Sequence, residues 1–135
     1  GSEMCIRDRM TLSESREDYL ENLLILETRS GGFVRQVDMA SRMGFSKASI
    51  SKAMSSLSAE GYVEFRPRGL VRLSNGGRKI AERAYDRHCF FFKVLTNLGI
   101  PTEIAQRDAC RMEHAMSEES YQALKKELSS KMDVQ

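Results

Sequence analysis

Residues Val34–Ser74 read VRQVDMASRMGFSKASISKAMSSLSAEGYVEFRPRGLVRLS, and their punctuation decides the fold. VRQVDMASRMG has the apolar spacing of a short amphipathic helix and is closed by Gly44. Ser46 then caps a second helix, KASISKAMSSLSAEG, which stops at Gly61. YVEFRPRGLVRLS alternates β-forming residues and breaks at Pro67-Arg68-Gly69, as a hairpin does. Helix, glycine turn, serine-capped helix and basic hairpin together make a winged helix-turn-helix. Ala40 falls where the two helices approach closely, Gly44 where the turn needs a positive φ, and Ile50 where the second helix meets the core. Ser46, Lys47, Ser49, Ser51, Lys52 and Ser55 are short or cationic, as a helix entering the DNA major groove requires. Arg66 and Arg68 flank the wing tip and can reach phosphates or the minor groove, and Arg35 joins them as a candidate DNA contact.

The charge distribution points the same way. The chain of 135 residues carries a net charge of only +2, yet residues 31–79 hold nine Lys and Arg against Asp38, Glu60 and Glu64, a local +6. The flanks are mildly acidic, −3 over residues 1–30 and −1 over residues 80–135. A basic middle between acidic flanks suits a polyanion-binding segment mounted on something else. A helical hairpin used for protein contacts is the competing use of such a module, and the +6 segment argues against it.

Upstream, TLSESREDYLENLLILETRSGG reads as a helix starting near Ser13 or Ser15 and stopping at Gly31-Gly32. Residues 1–9 resemble a cloning-derived segment, with the natural start expected at Met10 and Cys5 excluded from any site. Downstream, Asn75-Gly76-Gly77 reads as a turn ending a DNA-binding domain over 10–77. A helical domain is expected over 78–135. Its long helix runs from Arg78 to about Gly99, Pro101 opens the next, and Ser117 caps a last one reaching about Ser130. The fold class is therefore mainly α: an N-terminal winged helix-turn-helix followed by an all-helical metal-binding and dimerisation domain. Phe90, Phe91, Val94 and Leu95 are expected to form a dimer interface, with a core built inside one chain as the alternative.

At 41% hydrophobic and 30% charged residues, with no run of 18 apolar residues and no secretory apolar segment, a cytoplasmic setting is expected. Three widely spaced cysteines, Cys5, Cys89 and Cys110, argue for a reducing compartment rather than a disulfide framework.

The helical domain carries a second chemical signal. In DACRMEHAMS, Asp108–Ser117, Cys110, Glu113 and His114 stand at i, i+3 and i+4 and would share one helix face. Thiolate, carboxylate and imidazole together suit a transition metal. Asp18 and Glu21 are likewise i, i+3 on the first helix, and His88 lies one connection before the Cys110 helix, where short loops pack neighbours side by side. Cys89 is read as packing only. A buried Cys beside a solvated Glu and a hydrogen-bonded His is the plainer reading of the run.

The chain resembles the diphtheria-toxin-repressor family of metal-dependent transcriptional regulators, including its manganese-sensing branch. EDYLENLLIL, RGLVRLSNGGRKIAERAYDRH and ACRMEHAMS carry the resemblance, which covers Ser13 to Leu128. It implies metal ligands at Asp18, Glu21, His88, Cys110, Glu113 and His114. The manganese branch has Asp first and Glu fourth, the iron branch Met first and Cys fourth, so this chain is mixed. Phe92 stands where the iron branch expects a glutamate four residues after the histidine, which argues against an iron-type ancillary site. The SH3-like C-terminal domain of longer members is expected to be missing.

The reading is a cytoplasmic homodimeric regulator, a repressor of metal-uptake genes. Mn(II) or Fe(II) is the expected co-repressor, with Zn(II), Co(II) or Cd(II) able to substitute in vitro. Double-stranded palindromic operator DNA is the expected partner, without a membrane or a small organic substrate. An ion held by ligands from both domains would couple them, typically by about 1–3 kcal/mol. The rival functions are a thiol redox-sensing winged-helix regulator using Cys110 and a metalloenzyme. No HExxH-type catalytic signature is present, so no enzymatic activity is expected.

Overall fold

A computed structural model describes the backbone of residues 2–132 and the side chains of residues 15–132. Six helices carry most of the chain: α1 (Ser2–Ser30), α2 (Gln36–Met43), α3 (Lys47–Ala59), α4 (Asn75–Asn97), α5 (Thr102–Met112) and α6 (Glu118–Met132). Two antiparallel strands, β1 (Val63–Arg66) and β2 (Leu70–Leu73), complete the described elements. The expected mainly α class holds. The chain divides into two compact units, Gly1–Glu82 and Arg83–Gln135, and the division falls inside α4. No described helix is long and apolar enough to cross a membrane.

The first unit is the winged helix. Gly44 takes the left-handed conformation, φ 72°, and its N–H donates to the Ala40 carbonyl at 2.9 Å, stopping α2 without a side-chain cap. Ser46 then accepts from the Ser49 N–H at 3.1 Å and starts α3. Val34 lies outside α2. Its backbone pairs instead with Val71 through two 2.9 Å bonds, adding a third short edge to the hairpin. The strands run in the register Val63 to Leu73 and Arg66 to Leu70, with a 3-10 turn at Pro67–Gly69. Leu20, Leu23, Met39, Ile50, Met54, Leu57, Val71 and Leu73 are buried in one cluster. Burying each such side chain is worth about 1.5–3 kcal/mol, which is why α1, α2, α3 and the wing hold together.

Two expected boundaries move. Helix α1 runs from Ser2, beyond the expected start near Ser13 or Ser15, because no Gly or Pro interrupts the chain before Gly31. The expected leader with Cys5 lies outside the residues described with side chains. Asn75-Gly76-Gly77 is the first turn of α4 rather than a free turn. The Ser74 hydroxyl accepts from the Gly77 N–H at 3.1 Å, and the Ser74 carbonyl accepts from the Arg78 N–H at 2.8 Å, so the serine caps the helix.

The second unit packs α4 from Arg83 onward with α5 and α6. Phe90, Phe91, Val94, Ala109 and Tyr121 form its buried core. Tyr121 meets Phe90 at 5.6 Å and Phe91 at 5.9 Å between ring centroids. This corrects the expectation that Phe90, Phe91 and Val94 anchor a dimer: their own unit already covers them, Phe91 to 1% exposure. The reason is Tyr121 of α6, whose ring fills the space in front of both phenylalanines.

Candidate metal centre and nucleic-acid interface

On α3 the periodicity separates two jobs. Ile50, Met54 and Leu57 are buried, whereas Lys47, Ser49, Ser51, Lys52 and Ser55 are exposed along the opposite face. That face offers hydroxyls and ammonium groups, the donors that read base edges and phosphates. Arg35, just ahead of α2, forks onto Asp38 at 3.0 and 3.2 Å. An exposed pair of this kind is worth about 0–1 kcal/mol, so a phosphate can replace the carboxylate.

The wing is stiffer than its length suggests. Arg66 and Arg72 each lie 5.5 Å from the centre of the Phe33 ring, and Arg72 also pairs with Glu64 at 2.8 Å. At the tip Arg68 has φ 67°, followed by Gly69 at 72°, and Gln36 donates to the Gly69 carbonyl at 2.8 Å. Its base is held by Glu27, buried on α1, which accepts from the Leu73 N–H at 2.8 Å and from Arg78 at 2.6 Å. Neither Phe33 nor Glu27 was singled out from the sequence, since a lone Phe and a helical Glu carry no pattern of their own.

Of the candidate ligands, Asp18 and Glu21 stand one turn apart on α1, Glu21 buried and Asp18 half-buried. The others belong to the second unit. His88 of α4 lies with Nδ1 3.2 Å from Glu113 Oε1 and Nε2 2.5 Å from Gln106 Oε1. A proton on Nδ1 suits the carboxylate and leaves the Nε2 lone pair toward Gln106, whose amide ends interchange. Glu113 is 1% exposed, and its Oε2 has no hydrogen-bond partner among the described residues. A buried carboxylate oxygen left in that state is costly unless a cation answers it. The donor pair therefore fits a divalent metal.

DACRMEHAMS is not one helical run. Helix α5 ends at Met112, Glu113 follows as its cap in the right-handed region, and His114 lies in the turn beyond. Arg87 causes the break to be stable: its guanidinium donates to the carbonyls of Glu113 at 3.0 Å and Met116 at 2.8 Å. Gln106, Cys110 and Glu113 still form an i, i+4, i+7 stripe, and His88 touches both ends of it. Cys110 is half-buried between them. Among the described residues, neither Cys110 nor His114 completes a set of three donor atoms mutually within 4.8 Å together with His88 and Glu113. Gln106 and Arg87 are the functional neighbours missed from sequence. The only signals were a place one turn before Cys110 and a place beside His88.

Comparison with known proteins assigns the family. Residues 11–71 match the iron-dependent repressor N-terminal DNA-binding domain, and residues 74–131 match the iron-dependent repressor metal-binding and dimerisation domain. Over 109 residues the chain is 39% identical to the transcriptional regulator MntR of Escherichia coli, covering 81% of this chain and 70% of that protein. The chain belongs to the diphtheria-toxin-repressor family. This is a family of metal-dependent transcriptional regulators, not of enzymes. Among family structures it is similar to IdeR of T. acidophilum, with 26% identity, TM-score 0.73 and 84% of this chain covered. A manganese-dependent transcriptional repressor in complex with manganese gives 26% identity, TM-score 0.74 and 89% coverage. The chain spans 53% of the length of either of those structures.

Proposed function

We propose that this protein is a metal-activated DNA-binding regulator, a cytoplasmic homodimer that represses metal-uptake genes from a palindromic operator. The observation that carries this reading is Glu113, a fully buried carboxylate beside His88 with one oxygen unanswered, in a chain whose other unit exposes a basic winged helix. The DNA-binding domain would span 10–77 and the metal-binding and dimerisation domain 78–135. Asp18, Glu21, His88, Cys110, Glu113 and His114 would hold Mn(II) or Fe(II), with Zn(II), Co(II) or Cd(II) as substitutes in vitro. The ion supplies positive charge and fixed coordination among carboxylates that otherwise repel.

The chain's own residues do the rest. Lys47 and Lys52 bring charge to the phosphates, Ser46, Ser49 and Ser51 offer hydroxyls at the groove, and Arg35, Arg66 and Arg68 contact the backbone from the side. Footprinting in Mn(II) and in chelator tests the reading. Protection should strengthen about 5- to 150-fold with metal and fall steeply with added salt. Equal protection in both conditions would sink the co-repressor role and leave DNA binding standing.

Lys52→Ala should weaken operator binding and leave Mn(II) affinity of the free protein unchanged, because Lys52 is exposed on α3 and is not among the proposed ligands. Calorimetry beside a gel-shift assay separates the two. A parallel fall in both affinities would contradict the division of labour.

Cys110→Glu should raise the ratio of Mn(II) to Co(II) affinity, since a hard carboxylate replaces a soft thiol on the stripe that faces His88. Anaerobic titration of both metals reads that ratio. An unchanged ratio would make Cys110 a packing residue.

A further inference from the structure

We propose that Arg87 is a positioning residue for the metal-ligating turn, holding the Glu113 backbone while its neighbour His88 holds the Glu113 carboxylate. The inference rests on the metal reading above and adds a residue that is itself no ligand. Helix α5 lacks the glycine stop that ends α2, so the carbonyls after Met112 need another donor. Arg87 supplies it. One guanidinium nitrogen bridges the carbonyls of Glu113 at 3.0 Å and Met116 at 2.8 Å, and the other pairs with Glu118 at 2.9 Å.

The guanidinium is itself fixed from several sides. Arg87 is 9% exposed and lies 4.8 Å from the centre of the Tyr121 ring. Tyr121 donates to Asp86 at 2.8 Å, and Lys125 donates to the same carboxylate oxygen at 3.0 Å. Burial pushes the Asp86 carboxyl up, but Lys125 and Tyr121 outweigh it and hold it below its ordinary range. Burial and Asp86 in turn drive the Tyr121 phenol well above its usual value, so it stays a neutral donor. Consecutive residues on a helix diverge by roughly 100°. Arg87 and His88 therefore reach Glu113 from two directions, at its carbonyl and at its Oε1. Only a planar fork can bridge two carbonyls, pair with a carboxylate and lie against a ring together; a lysine ammonium cannot.

The test uses the full chain with Arg87→Lys and, because Glu118 is half-exposed and safe to change, Glu118→Gln. Amide hydrogen exchange is followed in the metal-free protein, and Mn(II) affinity by the resonance of unbound Mn(II). In Arg87→Lys, exchange at 113–117 should quicken while amides inside α4 and α6 keep their protection. Mn(II) affinity should fall about 10- to 100-fold, the usual effect of losing a partner behind a ligand. Glu118→Gln should move both in the same direction by less. Exchange rising evenly through the unit, or Mn(II) affinity within twofold of wild type in a folded Arg87→Lys, would overturn the proposal. Should Arg87→Lys unfold, unchanged exchange and affinity in Glu118→Gln overturn it instead. A wild type that binds no Mn(II) defeats the metal reading alone, and the exchange at 113–117 still decides whether Arg87 holds the turn.

Discussion

Glu113→Gln should abolish metal-dependent operator binding while leaving the second unit folded. The substitution keeps the shape of the side chain and removes its charge. The buried Oε2 has no protein hydrogen-bond partner, so little of the metal-free fold depends on it. An amide of the same shape is cheaper to bury than a carboxylate with one oxygen unpaired, which offsets the weaker contact to His88. In the metal-bound protein the balance reverses. An ion in that site would face a neutral amide where a carboxylate stood, with the remaining buried charges uncompensated. Breaking a buried charge pair costs about 3–5 kcal/mol, which is a loss of about 100-fold or more in Mn(II) affinity. Titration with Mn(II) and thermal unfolding of the metal-free variant are the two measurements. Wild-type Mn(II) affinity would remove Glu113 from the ligand set and with it the main support for a metal switch. A variant unfolded without metal would instead make Glu113 a structural anchor of His88.

How far the sequence could be read depended on where each decision is made. The path from α2 to β2 was legible because its stops are local: Gly44, Ser46, Gly61 and Pro67 each act through their own φ or side-chain oxygen. The family resemblance was legible for the same reason, in unbroken runs of residues. What was misjudged is decided by distant partners. The end of α5 at Met112 depends on Arg87, 25 positions before it in the sequence. Whether Phe90 and Phe91 face a second chain or their own depends on Tyr121, which no periodicity within α4 announces. His88 and Glu113 were placed on neighbouring helices by short-loop packing. Their contact at 3.2 Å follows from that packing, but Gln106 at the second nitrogen does not.

Gly77→Ala should destabilise the winged-helix unit by about 3 kcal/mol or more, whereas Gly76→Ala beside it should be neutral or mildly stabilising. Both glycines sit in the first turn of α4, and neither has a positive φ, so backbone conformation does not distinguish them. Space does. A Cβ on Gly76 would meet only the Ser74 hydroxyl, at 3.9 Å, and alanine in a helix is favoured over glycine by about 0.5–1 kcal/mol. A Cβ on Gly77 would lie 2.0 Å from the Tyr62 carbonyl oxygen and 2.9 Å from its carbon. That carbonyl cannot step aside, because it accepts from the Ser74 N–H at 3.0 Å while the Tyr62 N–H donates to Leu57 at 2.9 Å. The start of α4 must therefore lift away, taking with it the Ser74 cap and the Arg78 grip on buried Glu27. Overpacking against fixed backbone reaches the upper end of its usual cost under such conditions. For a unit of this size the melting temperature should drop by about 12–24 °C. Thermal unfolding of the two single variants reads the difference directly. If they melt within about 4 °C of each other, α4 does not start against Tyr62, and Asn75-Gly76-Gly77 is the free turn that its composition suggested.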